Sequence, residues 1–206
     1  MVVIEVYADI WCPFAHVGLR AVVGRRDLLG RDDAVLRVRA WPLELVNGAP
    51  MDPETTAAHV RDLRAQVAPD LFTHFDPDHF PQSTLPALAL VAAAYRRDDH
   101  MGEAVSFGLR NALFEHGEDI SHGDVLARVA DSFGVGAPTA EDEKAVRDEW
   151  HRGQSRGVKG SPHFFCGDAD AFCPSLDISR DAGGHLDLRQ NVEVLDGFLQ
   201  ECLGET

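Results

Sequence analysis

The chain of 206 residues lacks several features that mark whole classes of protein. Its longest apolar run, from Leu85 to Tyr95, contains Pro86 and is about half as long as the roughly 20 residues that a membrane-spanning helix needs. A net charge of -15 argues against a broad surface for nucleic acid or anionic lipid, because phosphate groups repel an acidic protein. We therefore expect neither a membrane nor a nucleic acid among its partners.

A signal-peptide pattern is also lacking, because strand-like sequence begins at Val2, and we expect a cytoplasmic protein. Cysteine is scarce, and four cysteines in a cytoplasmic chain of this length do not make a disulfide framework. They are Cys12, Cys166, Cys173 and Cys202. No metal site is expected, because His163 and His185 lack the spacing of zinc ligands. Each cysteine therefore needs its own explanation.

The composition is that of a soluble globular protein, with 45% hydrophobic and 26% charged residues. The first part of the chain predicts a strand from Val2 to Tyr7, a helix from Pro13 to Leu29 that ends at Gly30, and a strand from Val35 to Trp41. Elements of these lengths form a right-handed βαβ unit.

Residues 49–156 carry helix signals and no convincing strand, which predicts an inserted α-helical subdomain. The predicted helices run from about Asp52 to Val67, Pro86 to Arg97, Gly102 to His116, Ser121 to Phe133 and Thr139 to Gly153.

The last part, residues 157–206, returns to β structure. A glycine-rich loop leads into a short aromatic strand up to Cys166, turns follow at Gly167-Asp168 and Gly183-Gly184, and an amphipathic helix from Asn191 to Leu203 closes the chain. Its predicted apolar side consists of Val192, Leu195, Phe198, Leu199 and Leu203. Cys166 and Cys173 could face one another across a hairpin, but two unpaired thiols are the expectation in a reducing cytoplasm.

The most informative residue is Cys12, which lies between the first strand and a helix that opens at Pro13. Proline at the first helical position makes Cys12 the N-cap, so its sulfur faces the unpaired amides of the first turn. Such placements lower the pKa of a cysteine from about 8.5 to roughly 3.5 to 7.5. We therefore predict a nucleophilic thiolate at Cys12, against the alternative that this residue is only a small buried hydrophobe.

Ala15 stands where a Cys-x-x-Cys motif carries its second cysteine. Cys12 therefore has no local partner that could expel a sulfur bound to it. A mixed disulfide formed on Cys12 would have to be released by a second thiol from a small molecule or a partner protein.

Three segments carry a family resemblance: Trp11 to Phe14, Phe114 to Ser121, and Gly157 to Phe164. In this order they resemble the DsbA-like branch of the thioredoxin superfamily, which includes FrnE-like oxidoreductases, 2-hydroxychromene-2-carboxylate isomerases and kappa-class glutathione transferases. The resemblance implies an α/β thioredoxin-like fold with a large α-helical insertion: residues 1–48 and 157–206 form the thioredoxin-like domain, and residues 49–156 the insertion. The Cys-Pro-Phe-Ala variant matches neither the dithiol oxidoreductases nor the members with serine at the first position.

The same resemblance implies a cis Ser161-Pro162 bond beside Cys12, where Ser161 would offer a docking edge to an extended, thiol-bearing substrate.

The residues around Cys12 are further candidates for substrate binding. Trp11, Pro13 and Phe14 flank the thiol, and the two aromatic rings either form an apolar wall for substrates or simply pack. His16 lies on the same helix face as Cys12 and is either a cation that stabilises the thiolate or a solvated surface residue.

Together these features predict a thiol–disulfide oxidoreductase with Cys12 as its single catalytic nucleophile. No cofactor is expected to bind tightly, and glutathione or another low-molecular-weight thiol would be the cosubstrate. A glutathione-dependent isomerase or transferase, and a non-enzymatic thiol-binding module, stay open as alternatives, as does a homodimer.

Overall fold

The structure, a computed structural model, describes residues 1–181 and 185–204. The chain begins with the predicted unit of β1 (Val2–Ala8), α1 (Pro13–Leu28) and β2 (Ala34–Ala40), in which β1 and β2 are parallel. Helix α1 starts at Pro13, whose φ is preset for a helix, and it stops before Gly30, which takes a φ of +63° that favours glycine.

Two further strands complete the main sheet. Strand β3 (His163–Cys166) pairs antiparallel with β1, and β4 (Ala169–Phe172) pairs antiparallel with β3, giving the order β2-β1-β3-β4. Helix α8 (Val192–Leu203) packs against α1 and against the sheet. The core between these two helices and the sheet includes Ile4, Val6, Leu19, Val38, Phe164, Phe198 and Leu199. The predicted thioredoxin-like α/β fold is confirmed.

Residues 49–156, all of which the structure describes, contain helices and no strand. The helices between β2 and β3 are α2 (Leu43–Asn47), α3 (Pro53–Gln66), a 3₁₀ turn (Pro77–His79), α4 (Leu85–Tyr95), α5 (Asp99–Phe114), α6 (Gly123–Phe133) and α7 (Ala140–Arg156). Helix α5 begins three residues earlier than the sequence predicts, because Asp98 caps it by accepting a hydrogen bond from the Met101 amide at 2.8 Å. The division at residues 48/49 and 156/157 into separate domains stays a prediction.

The helices of the insertion close the free edge of β2. The amide of Leu36 donates to Glu103 Oε2 at 2.6 Å, and the amide of Ala40 donates to Glu149 Oε2 at 2.8 Å. Between them, the Val38 amide donates to the Tyr95 hydroxyl at 2.7 Å, and that hydroxyl donates to the Leu36 carbonyl at 3.0 Å. Side chains from α5, α4 and α7 thus take the hydrogen bonds that a neighbouring strand would otherwise make.

A second sheet, which the sequence analysis missed, follows the first. It consists of β5 (Leu176–Arg180) and β6 (Leu186–Gln190), paired antiparallel. The side chain of Gln66 in α3 joins β6 to the insertion by bonding the Leu186 carbonyl and the Leu188 amide, both at 2.9 Å. The predicted Gly183-Gly184 turn lies outside the described residues.

The closing helix begins one residue after the predicted start, because Asn191 caps it. Leu195, Phe198 and Leu199 are buried as predicted, whereas Val192 is 53% exposed and does not belong to the apolar side. Among the residues that the structure describes, no helix has the length and apolar character needed to cross a membrane.

Candidate active site

The site is built where the N-terminus of α1 meets the loop before β3. Cys12 is the N-cap of α1, with φ of -76° and ψ of 113°, and its thiol donates to the Ser161 carbonyl at 3.2 Å. The Ser161-Pro162 peptide bond is cis, and Ser161 Oγ accepts from the Asp9 amide at 2.9 Å. Gly18 lets the helix approach this loop, because a Cβ there would lie 3.2 Å from Pro162 Cγ. The structure thus brings Cys12, Ser161 and Pro162 together.

The predicted lowering of the Cys12 pKa is wrong. Burial raises the pKa of the Cys12 thiol, and the Ser161 side chain, the Ala15 amide and the charge of Arg110, in that order, only partly oppose this rise. Asp9 adds a smaller upward contribution. The side chain is only 4% exposed, so removal of water from the sulfur outweighs the amides at the helix end. At neutral pH, Cys12 is therefore a protonated thiol.

Both predicted roles of His16 are also wrong. The side chain is fully buried between the rings of Phe72 and Phe114, at centroid distances of 5.1 and 4.8 Å. Its Nε2 lies 2.7 Å from Glu115 Oε1, but burial outweighs this contact and lowers the pKa of His16 to about 4. His16 is thus a neutral, buried link from α1 to the end of α5, and it is neither a surface residue nor a cation beside the thiolate.

Glu115 is held by several donors at once. It accepts hydrogen bonds from the amides of Phe72 at 3.0 Å and Thr73 at 3.1 Å, in addition to its contact with His16. Although burial raises its pKa, these bonds prevail and lower the pKa of Glu115 to about 2. A carboxylate and a neutral imidazole therefore form this contact near pH 7.

We expect His16→Gln to change how stability depends on pH. Folded His16 resists protonation down to about pH 4, whereas unfolded histidine titrates near 6.5. Its contribution to stability is therefore present above pH 6.5 and is lost as the pH falls towards 4. Between pH 7 and pH 5 this loss amounts to about 2 kcal/mol. The free energy of unfolding, measured in urea, should therefore fall less between pH 7 and pH 5 in His16→Gln than in the wild type. Glutamine keeps a hydrogen-bond donor for Glu115.

The exposed residue His100 provides a matched control for this measurement. In His100→Gln, the free energy of unfolding should change between pH 7 and pH 5 by as much as it does in the wild type. If His16→Gln behaved in the same way, His16 would have to be protonated in the folded protein.

The aromatic residues next to Cys12 divide into one core residue and one cavity residue. Trp11 is fully buried and stacks on Phe80 with ring centroids 5.7 Å apart and an interplanar angle of 8°, so it forms no wall for substrates. Pro13 and Ala15 are buried in the first turn of α1. Phe14 is partly exposed, and its ring centroid lies 5.3 Å from that of His59.

Phe14 and Ser161 line a cavity of about 460 Å³ beside Cys12. Its other walls are largely apolar and come from α3 and from the region after β3. They include the apolar side chains of Phe172, Cys173, Ile178 and Leu186 and the polar ones of His59, Ser179 and Arg180. A cavity of this volume that combines apolar walls with some polar groups is typical of sites for small molecules. Most of these residues carry no signal in the sequence, since antiparallel pairing and the second sheet bring them to the site.

The four cysteines are free and lie in two neighbourhoods. Cys173 belongs to the site: its amide donates to the Pro162 carbonyl at 3.0 Å, and burial together with the nearby Cys12 raises the pKa of Cys173 to about 12. Cys166 pairs across the hairpin with Ala169, so the suggestion that it faces Cys173 is wrong. Cys166 instead contacts Cys202 of α8, where burial and this contact raise the pKa of Cys202.

Two buried charged residues, Asp9 and Arg110, escaped the sequence analysis. The carboxylate of Asp9 accepts from the Ile10 amide at 2.7 Å and from the Leu43 amide at 2.5 Å, while burial raises its pKa to about 6. Arg110 of α5 donates through Nη1 to the Asp9 carbonyl at 2.7 Å and to the Ile10 carbonyl at 3.3 Å. An isolated Asp or Arg in a charged sequence carries no signal of burial.

Cys12 is the N-cap of the helix after the first strand, and it faces the carbonyl of Ser161, which precedes Pro162 and β3. This arrangement defines a thioredoxin-like thiol domain. Residues 3–181 match the family model described as the DSBA-like thioredoxin domain, and the chain belongs to this family. A search of curated proteins finds no match.

Several solved structures share the fold. A probable DsbA oxidoreductase from Streptomyces coelicolor has a TM-score of 0.71 and 19% identity, covering 100% of this chain and 92% of that chain. The cytosolic disulfide reductase DsbM from Pseudomonas aeruginosa has a TM-score of 0.60 and 16% identity, covering 98% of both chains. A 2-hydroxychromene-2-carboxylate isomerase has a TM-score of 0.62 and 17% identity, covering 82% of this chain and 88% of that chain.

Proposed function

We propose that this protein is a cytoplasmic thiol–disulfide oxidoreductase that acts through the single nucleophile Cys12. A low-molecular-weight thiol such as glutathione, or the thiol of a partner protein, serves as its cosubstrate. The observation that carries this proposal is the position of the Cys12 thiol at the start of α1, 3.2 Å from the Ser161 carbonyl and beside the cavity lined by Phe14.

The reaction has two balanced steps. Cys12 loses its proton, and the thiolate attacks one sulfur of a substrate disulfide; a new S–S bond joins Cys12 to that half of the substrate, and the other half leaves as a thiolate that takes up a proton. In the second step, an external thiolate attacks the substrate sulfur of the mixed disulfide and forms a new S–S bond with it. The bond to Cys12 breaks, and Cys12 leaves as a thiolate that takes up a proton. Ala15 offers no sulfur for an internal attack, so the external thiol is required.

The surroundings of Cys12 suit such an exchange. When a substrate displaces the Cys12 thiol from the Ser161 carbonyl, that oxygen becomes available to a backbone amide of an extended substrate. The apolar side chains of Phe14, Phe172 and Ile178 would hold the part of the substrate that does not react. The similar protein DsbM, described as a cytosolic disulfide reductase, has also been solved with GSH, which supports glutathione as the thiol to test first.

The test is to trap the intermediate. Reduced protein is incubated with glutathione disulfide, and intact mass and peptide mapping follow the products. We expect one glutathione adduct, on Cys12, that persists until free thiol is added, since no internal thiol at position 15 removes it. Cys12→Ser should form no adduct at position 12, while Cys166→Ser should be modified like the wild type.

An internal disulfide formed while Cys12 stays free would contradict the proposal. Glutathione-dependent conversion of a carbon electrophile without any disulfide turnover would favour an isomerase or a transferase instead. If the protein catalysed neither disulfide exchange nor the conversion of a carbon electrophile, the non-enzymatic alternative, a thiol-binding module, would be favoured.

A further inference from the structure

Arg110 is a fully buried cation that reaches from the helical insertion to the segment before Cys12. Its Nη1 holds the carbonyls of Asp9 and Ile10, which lie three and two residues before the reactive cysteine. Removing a guanidinium from water is unfavourable unless charges or hydrogen bonds compensate. Two carbonyl contacts from one of its three nitrogens are little compensation.

The remaining donors of Arg110 are unused. Among the described residues, Nε and Nη2 have no hydrogen-bond partner, and no carboxylate lies within ion-pair distance of the guanidinium. Arg110 holds the backbone carbonyl of Asp9, but the carboxylate oxygens of Asp9 accept from the amides of Ile10 and Leu43 instead. The site therefore holds a buried positive charge that lacks an anion in direct contact.

Among the groups that affect the pKa of Cys12, Arg110 is the cation. His16 on α1 is neutral near pH 7 because burial lowers its pKa, and Cys173 is protonated because burial raises its pKa. Asp9 acts in the opposite direction and raises the pKa of Cys12, whereas Arg110 lowers it. Burial lowers the pKa of Arg110 itself to about 10, and a Cys12 thiolate is the foremost charge opposing that change.

We propose that Arg110 is the counter-ion of the Cys12 thiolate. The guanidinium stays protonated throughout, and it stabilises the negative charge that Cys12 carries when it attacks a disulfide and when it leaves a mixed disulfide. This role rests on the proposed function, since it requires Cys12 to be the reacting thiol. It also assigns a task to the insertion, because α5 carries the cation that would act on Cys12.

The test measures the alkylation of Cys12 by iodoacetamide as a function of pH, with peptide mapping to separate Cys12 from the other cysteines. Arg110→Met removes the charge and keeps an unbranched apolar side chain. We expect its alkylation midpoint to rise by about one pH unit or more, the shift typical of losing a nearby opposite charge. Arg110→Lys keeps the charge, so its midpoint should move by less than half as much.

Arg20 provides a matched control on α1. It is partly buried, lies next to His16, and its removal changes the net charge by the same amount without touching the carbonyls of Asp9 and Ile10. Arg20→Met should leave the midpoint within a few tenths of a pH unit of the wild-type value. A rise as large as that of Arg110→Met would overturn the assignment to Arg110.

If the role of Arg110 is purely structural, the alkylation midpoint of Cys12 should change in the opposite direction in Arg110→Met. If Arg110 only holds the segment before Cys12, its loss would expose the thiol to water and lower the midpoint towards that of a free cysteine. A lowered or unchanged midpoint therefore overturns the proposal. Should Arg110→Met fail to fold, Arg110→Gln keeps hydrogen-bond donors for the two carbonyls without the charge, and the same rise is expected.

The two proposals can fail separately. If the wild type forms no adduct on Cys12 with glutathione disulfide, the proposed function fails, but the alkylation midpoints still report whether Arg110 acts on the sulfur. If the adduct forms and the midpoint does not rise in Arg110→Met, the function stands and the counter-ion is refuted.

Discussion

Cys12→Ser is expected to lower the rate of disulfide exchange with a glutathione mixed disulfide by about a thousandfold or more, as the loss of an enzymatic nucleophile usually does. A serine hydroxyl stays protonated throughout the accessible pH range and cannot replace the thiolate as the attacking group. The rate is measured from the release of a chromophoric thiol, with excess glutathione present to complete each turnover.

Two other cysteine variants make this result specific. Cys166 contacts Cys202 and does not line the cavity beside Cys12, so Cys166→Ser should keep the wild-type rate. Cys173 lies in the cavity beside Cys12, and Cys173→Ser should keep most of the rate if Cys12 acts alone. Retention of more than about a tenth of the activity in Cys12→Ser would refute the nucleophile, since enzymes that lose theirs keep far less.

Ala15→Cys should turn the protein into a dithiol enzyme. Residue 15 lies three positions after Cys12 in the first turn of α1, on the same face of the helix. A thiol there can attack a mixed disulfide on Cys12 from within the chain. Insulin reduction should rise by about tenfold or more, because an internal attack replaces a bimolecular step.

This substitution adds a sulfur to a fully buried position, and overpacking of that kind costs about 1 to 3 kcal/mol. Melting temperatures should therefore accompany the rates. Ala21→Cys, farther along the same helix, is the control and should not gain activity. If the wild type already matched Ala15→Cys, another cysteine would have to resolve the adduct, and Cys173 would be the first to test.

The fold could be predicted because its signals are local. Alternating apolar residues marked β1 and β2, and Pro13 fixed both the start of α1 and the N-cap position of Cys12. Strands β5 and β6 were missed because each has only five residues, so their alternation of apolar and polar residues covers only a few positions.

The properties of the site were less accessible, because they depend on burial. The position of Cys12 at a helix N-terminus is visible in the sequence, but the loss of water around its sulfur is not, and this loss decides the direction of its pKa. The same holds for His16, which a helical spacing places near Cys12 and which tertiary packing buries against Glu115. Arg110 comes from a helix about a hundred residues away, and only the folded chain brings it to the segment before Cys12.

The capped edge of β2 bears on how far this protein could be shortened. Joining residues 1–48 directly to residues 157–206 would preserve every strand of the main sheet. It would, however, remove the three side chains that accept hydrogen bonds from the amides of β2. These side chains are Glu103 on Leu36, Tyr95 on Val38 and Glu149 on Ala40. Such a minimal chain would present an unpaired strand to other molecules, an arrangement that favours aggregation. The insertion therefore covers this edge of the sheet, and a reduced version would need a new cover for that strand.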